Sequence, residues 1–252
     1  MIELSNVSKT FIKPNGGFLN VIDNISFKIK DNELYCILGP TGCGKSTIIN
    51  LIAGFMFPDT GKISVNDEEI RGPGPSRAVV FQDHTLFPWK TVSGNLEFGL
   101  KCLSEKKEDR LKKTEKLLKL IELENFHDTY PHKLSGGMKQ LVAFARAIAI
   151  EPEIIMMDEP FAALDEFTRV NFQEKLLNLH HLKPRTILLA THNIEEALFL
   201  ADKIIVLSER PAKVVKIINV PFPKNRKSDL RNSIQFLELK KQIYTHLQRP
   251  KA

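Results

Sequence analysis

The chain has 252 residues, 42% hydrophobic and 26% charged, with three cysteines and a formal net charge of +6. These are ordinary proportions for one large globular domain or two small lobes with ample core, and no apolar run approaches the ~18 residues that a membrane span needs. The lysines are interleaved with acids, as in Glu105-Lys106-Lys107-Glu108-Asp109-Arg110. That pattern marks a solvated helix face, so sequence-specific nucleic-acid binding is not expected, although weak attraction to an anionic membrane surface fits the charge. Met1–Ser5 shows no secretory signal, and Cys36, Cys43 and Cys102 form neither metal spacing nor a disulfide framework, which points to a reducing cytosol.

In chain order, residues 2–7 and 21–29 partly alternate as half-buried strands do, with a turn at Pro14-Asn15-Gly16-Gly17 between them. Leu34–Leu38 is an apolar run of strand length. It leads into Gly39-Pro40-Thr41-Gly42-Cys43-Gly44-Lys45-Ser46-Thr47, which matches the phosphate-loop pattern G-x-x-x-x-G-K-[ST]. A helix is expected over residues 48–53. In that setting the glycines let backbone N–H groups wrap phosphate oxygens, and the helix start adds positive dipole. Lys45 then reaches the β and γ phosphates of a nucleotide and the Ser46 hydroxyl can ligate Mg²⁺.

Short strands are expected at 62–65 and 78–81, and the chain turns helical from about 84 to 150. One helix is expected over 105–122, with Leu111, Thr114, Leu118 and Ile121 on a single face. Ser135 reads as the N-cap of a helix through Ala149, where Gly136 and Gly137 expose backbone N–H groups and make a second anion site. Residues 154–207 then alternate: strand 154–157, helix 166–181, strand 186–190, helix 194–201, strand 203–207. That rhythm implies a parallel sheet with covering helices. The strand ending Met157-Asp158-Glu159 brings two acids to the loop, Asp158 as the Mg²⁺ partner and Glu159 to polarise water for attack on the γ-phosphate. Residues 221–227 read as a linker before a last amphipathic helix carrying Leu230, Ile234, Leu237, Ile243 and Leu247. The fold class is α/β: a phosphate-loop core with a mixed or parallel sheet, a strand-rich N-terminal part and an inserted α-helical subdomain.

A phosphate loop combined with a separate phosphate-binding helix start, Leu134-Ser135-Gly136-Gly137-Met138-Lys139-Gln140, resembles the ATP-binding cassette (ABC) family of transporter ATPases. The resemblance spans roughly residues 1–210 and implies an antiparallel N-terminal β part, with residues 1–220 as the ATPase domain and 221–252 as linker and C-terminal helix. It implies that Gln82 senses Mg²⁺ and attacking water, that His192 contacts the γ-phosphate, and that Phe11 stacks on adenine. Ala162-Ala163-Leu164-Asp165 matches the family's D-loop, with Asp165 facing a second subunit, and Ser135, Gly136 and Gly137 would close on ATP held by another copy. Met138 stands where a glutamine is commoner, Ala162 where a serine is frequent and Phe11 where a tyrosine is usual. None of these touches the Mg²⁺ or the water.

The run Leu86-Phe87-Pro88-Trp89 after Gln82 is either local core or a docking surface; the family uses this groove for a helix of the membrane subunit. Phe87-Pro88-Trp89, Met157–Asp165, Glu209–Val215 and Phe236–Leu239 resemble the nitrate, sulfonate and taurine import subgroup. The resemblance thus implies an importer ATPase that binds ATP and Mg²⁺, pairs with a second copy and docks permease subunits near Gln82–Trp89. It would serve a solute-binding protein indirectly, from the cytoplasmic face of the membrane. The alternative is a soluble cassette acting on ribosomes or DNA. Translation-type members usually carry two cassettes, and DNA-repair members a coiled-coil arm for which the roughly 90 residues between loop and signature leave no room.

Overall fold

The structure, a computed structural model, describes residues 1–83 and 85–247. His84, inside the expected docking run, and residues 248–252, at the end of the expected C-terminal helix segment, lie outside the described residues.

The N-terminal part is an antiparallel sheet. Strands β1 (Ile2–Ile12) and β2 (Phe18–Ile29) pair along their length, and β4 (Thr60–Val65) with a two-residue β5 (Glu68–Glu69) extends the sheet in the order β2-β1-β4-β5. Both hairpin strands run longer than the alternation predicts, because their outer ends pair with each other rather than bury a face; Ile12 opposite Phe18 is exposed on both sides.

The second sheet contains β3 (Leu34–Leu38), β6 (Arg77–Val80), β7 (Ile154–Asp158), β8 (Thr186–Thr191), β9 (Lys203–Leu207) and β10 (Val214–Asn219), in the order β10-β9-β3-β8-β7-β6. All neighbours are parallel except β10, which runs antiparallel to β9. Strand residues alternate between two apolar layers. Leu34, Cys36, Leu38, Ile155, Met157, Ile187 and Leu189 face one; Tyr35, Ile37, Ile154, Met156, Leu188 and Ala190 face the other. Burial on both faces is why these strands read as unbroken apolar runs. Helix α1 (Lys45–Ala53) covers one layer; helices α5 (Glu166–Leu182) and α6 (Ile194–Leu200) cover the other.

The inserted helical part comprises α2 (Val92–Cys102), α3 (Lys107–Leu120) and α4 (Gly136–Ala149), packed round Val92, Leu96, Leu118, Ile121, Leu134 and Val142. Thr114, Leu118 and Ile121 are buried as the pattern predicts, but Leu111 is exposed and lies outside the apolar cluster of the helical part.

After β10, residues 228–232 form a 3-10 turn that holds Leu230, so the last helix, α7, begins only at Ile234 and is described to Leu247. Its buried residues are Phe236 and Ile243, while Ile234 and Leu237 are exposed. Of the expected apolar set, Ile243 is buried and Leu230 and Leu247 pack on the core, whereas Ile234 and Leu237 do not, since Phe236 stacks on Phe222 with ring centres 5.8 Å apart.

Candidate active site

The phosphate loop follows β3, every residue of which is buried, and is bent by Gly42 (φ 76°) and Gly44 (φ 122°). A Cβ on Gly44 would lie 3.0 Å from a Val21 methyl, so the chain passes where only hydrogen fits. The loop delivers Lys45 as the first residue of α1. Its ammonium is buried and curls back to donate to the carbonyls of Gly39 (2.9 Å) and Pro40 (3.1 Å), 3.6 Å from Glu159 Oε1.

Strands β7 and β8 are parallel neighbours with Asp158 in register with Ala190, so the residues just past them meet. Glu159, at φ 47°, donates its N–H to the Ala190 carbonyl (2.9 Å). Its carboxylate lies 2.9 and 3.0 Å from His192 Nδ1. A carboxylate only accepts, so Nδ1 is the donor in this contact. His192 is fixed from behind. Asn193 caps α6 by accepting from the N–H groups of Glu195 (2.9 Å) and Glu196 (3.3 Å), and the Thr191 hydroxyl donates to Glu196 Oε2 (2.6 Å). Burial holds the Glu196 carboxyl above the ordinary glutamate range.

Asp158, the last residue of β7, is nearly enclosed. Burial pushes its pKa up, a hydrogen bond from Ser46 pulls it down and the Glu159 charge pushes it up further. Its Oδ1 has no hydrogen-bond partner. Burial likewise raises the Cys43 thiol, which is packed beneath the loop.

A cavity of about 280 Å³ opens above these groups, walled by Lys45, Ser46, Thr47, Gln82, Glu159 and Arg210 together with Thr41, Gly42 and Gly44 of the loop. Most residues expected at a nucleotide site therefore converge, with Gly39 and Pro40 supplying carbonyls to Lys45, Asp158 beneath Ser46, and His192 on Glu159. Phe11 does not line the cavity; it pairs with Leu19 on the hairpin with Lys9 over its ring. Ser135, Gly136, Gly137 and Asp165 stand apart as well. Ser135 caps α4 by accepting from the Met138 N–H (3.2 Å), and Asp165 caps α5 by accepting from the Thr168 N–H (2.9 Å) and hydroxyl (2.7 Å), bonds that hold its pKa down. They make a second patch, in which a Cβ on Gly137 would come within 3.2 Å of Leu164 Cδ2.

The segment after Gln82 divides. Leu86 packs on the helical part, whereas Trp89 is 70% exposed, and Phe87 stands with ring centres 4.5 Å from Phe98 and 5.6 Å from Trp89. Buried Asn95 pins the segment, accepting from the Phe87 N–H and donating to the carbonyls of Phe87, Lys90 and Thr91. Local core and exposed surface are thus both present. Arg210, on the cavity wall, is the residue that sequence reasoning missed as a site group. Its only signal was membership of the run 209–215.

The ABC transporter family profile matches residues 22–162. The chain is 39% identical over 246 residues to a taurine import ATP-binding protein of Jannaschia sp., covering 96% of this chain and 92% of that protein. It is 37% identical over 244 residues to an aliphatic sulfonates import ATP-binding protein of Bacillus cereus, covering 96% and 94%. Among solved structures, a dimeric post-hydrolysis state of an ATP-binding cassette bound to ADP and Pi superposes with a TM-score of 0.79 at 30% identity, over 88% of this chain and all of that one. The sheet order, the phosphate-loop cavity and these matches agree: the chain belongs to the ABC transporter family, as one of its ATP-hydrolysing cassettes.

Proposed function

We propose that this ATPase works as a pair of copies and energises uptake of a small solute of the nitrate, sulfonate or taurine kind through separate membrane subunits. The observation that carries the pairing is the division of groups within one chain. Lys45, Ser46, Gln82 and Glu159 surround a single cavity, while Ser135, Gly136, Gly137 and Asp165 form a patch outside it. An anion-binding helix start with no ligand place of its own is completed by the cavity of another copy. The dimeric form of the solved cassette bound to ADP and Pi supports this arrangement. Import is supported by the names of the taurine and sulfonate relatives, and the exposed Trp89 and Phe98, with half-buried Phe87 between them, offer the permease a docking face. These relatives disfavour the ribosome or DNA alternative. No helix among the described residues is long and apolar enough to cross a membrane. The import relatives support placing the chain on the cytoplasmic face, held by its permease partners and serving a solute-binding protein through them.

Within the ATPase unit of residues 1–220, the loop N–H groups and Lys45 hold the triphosphate, and Phe11, on the β1–β2 hairpin outside the cavity lining, stacks on adenine. Glu159 orients and takes a proton from the attacking water, and His192 directs Nε2 toward the γ-phosphate. Mg²⁺ fits the residues present. Asp158 Oδ1 is buried and unpartnered beside Ser46, and Gln82 faces the same cavity. No cluster of three or more metal-type side chains occurs among the described residues, so phosphate oxygens and water would complete the shell. Bound there, the ion neutralises charge on the phosphate oxygens. Lys45 and His192 both contact Glu159, so the lysine that holds phosphate and the histidine that faces it share the carboxylate assigned as base.

The test is Glu159→Gln. It should bind ATP, lose hydrolysis by at least about 100-fold, as removal of a general base does, and run as an ATP-bound dimer in size exclusion. Near-normal turnover, or turnover per chain independent of concentration and of Ser135→Ala, would refute the reading.

A further inference from the structure

A second cavity, of about 300 Å³, shares no lining residue with the nucleotide site. It lies where the inserted helical part meets the sheet. Phe144 of α4, Leu176 of α5, Ile155 of β7 and Ile187 of β8 form its floor, each at most 3% exposed, and all four belong to the apolar cluster of the sheet. Leu117 of α3, which lines the other side, belongs with the cluster of the helical part. Ile155 and Ile187 stand near the starts of β7 and β8, whereas Asp158 ends β7 and His192 follows β8. The two cavities therefore sit at opposite ends of these strands.

Above that hydrocarbon floor the lining is ionic. Lys116, Lys183 and Arg185 are its cations, and Glu151 is its one acid among the described residues. Lys116, Glu151 and Lys183 are exposed and Arg185 is half-buried, so the charges ring the opening. Glu151 accepts from Lys183 Nζ at 2.7 Å, a bond that holds its carboxyl below the usual range, and Arg185 attracts it from farther off. His180, 7% exposed, donates from Nε2 to the Arg185 carbonyl (2.9 Å). Burial holds its pKa down, so the ring is neutral at neutral pH and adds no charge. Three cations against one carboxylate leave a net charge of +2 at the opening. A dry apolar floor gains contacts from a hydrocarbon body laid on it, and the positive opening favours a negative head over a neutral one and repels a cation.

We propose that this cavity binds a small amphiphilic anion, a carboxylate or sulfonate head on a hydrocarbon body of about six to ten carbons. The body lies on Phe144, Ile155, Leu176 and Ile187, and the head sits among Lys116, Lys183 and Arg185. The volume is at the low end of the roughly 300–1,000 Å³ that ligand sites occupy, too small for a diacyl lipid. A ligand seated there touches the helical part and the sheet core at once. The inference is independent of the pairing of copies and of the solute transported.

The experiment is calorimetric titration of the full-length protein, with and without saturating ADP, using octane-1-sulfonate, octan-1-ol and octyltrimethylammonium as probes. The sulfonate should bind with a Kd below about 1 mM, at least about tenfold tighter than the alcohol, with the ammonium weakest, and ADP should not displace it. Lys116→Glu combined with Arg185→Glu leaves Lys183 against Glu151 and two new carboxylates, a net charge of −2. That variant should weaken the sulfonate at least about tenfold and leave the alcohol within about twofold of the parent. No saturable sulfonate binding, or equal affinity for sulfonate and alcohol, would overturn the proposal. Binding abolished by ADP would put the sulfonate on the phosphate loop, and binding indifferent to the paired substitution would put it elsewhere on the surface; either result overturns the proposal as well.

Discussion

Arg226 is the most consequential buried cation outside the cavity, and its removal can be worked through. The side chain is 5% exposed. Nη1 donates to the carbonyls of Leu198 (3.2 Å), Phe199 (3.0 Å) and Ala201 (2.8 Å), Nε to that of Pro223 (2.8 Å) and Nη2 to that of Phe222 (3.3 Å). The first three are carbonyls at the C-terminal end of α6 that no intrahelical N–H can reach. Burial drags the guanidinium pKa down to about 10, which leaves it charged at neutral pH at an enclosure cost on the order of 3 kcal/mol. Arg226→Met keeps the bulk and removes every donor. Leaving the four buried carbonyls of Leu198, Phe199, Ala201 and Phe222 unsatisfied costs roughly 8 kcal/mol at about 2 each, and recovering the charge burial returns about 3 of it. The net loss is about 5 kcal/mol, a melting point roughly 10–20 °C lower for a chain of this size. Thermal unfolding followed by circular dichroism reads it directly. A variant melting within 2 °C of the parent would show that the α6 end is satisfied without Arg226 and that the tail after β10 is not what secures the helix that follows His192.

Two further expectations concern backbone and charge. Gly54 ends α1 at φ 82°, and a Cβ there would run into the Gly72 carbonyl; Gly54→Ala should cost at least about 2 kcal/mol, more than an ordinary glycine-to-alanine change in an allowed conformation, as measured by urea midpoint. The raised Glu196 carboxyl means that folding favours its protonated form. Its contribution is fully favourable below the unfolded glutamate value of 4.5 and is lost as pH rises through the higher folded value. Glu196→Gln should therefore be more stable than the parent at pH 8, with the gap closing towards pH 4. A gap that stays constant across that range would mean the carboxyl does not titrate with folding.

The parts of this chain that could be read in advance are those whose chemistry is local. The phosphate loop needs glycines and a lysine within nine residues, and each strand of the parallel sheet is apolar on both faces, so Leu34–Leu38 and Ile154–Asp158 stand out without partners being known. Helix α4 announces itself by Ser135 at the cap. What was misread depends on distant packing. Strand β10 escaped because an edge strand with four of its six residues exposed shows weak alternation, and Ile234 and Leu237 of α7 lie exposed because the helix docks through Phe236, which stacks on Phe222.

Arg210 and Arg226 explain the remaining blindness. Both act on main-chain carbonyls. Arg210 reaches Gly42 across 168 residues of sequence, and Arg226 reaches the end of α6 across 25 to 28. A carboxylate partner leaves a letter in the sequence, and so does a glycine at a forced turn. A carbonyl acceptor leaves none, since every residue has one. Motif spacing can therefore identify the groups that face phosphate while remaining silent on the groups that hold the loop and the switch helix in place. Arg210 holds a carbonyl of the phosphate loop, and Arg226 holds carbonyls at a helix end, so a change at 226 should read out in stability.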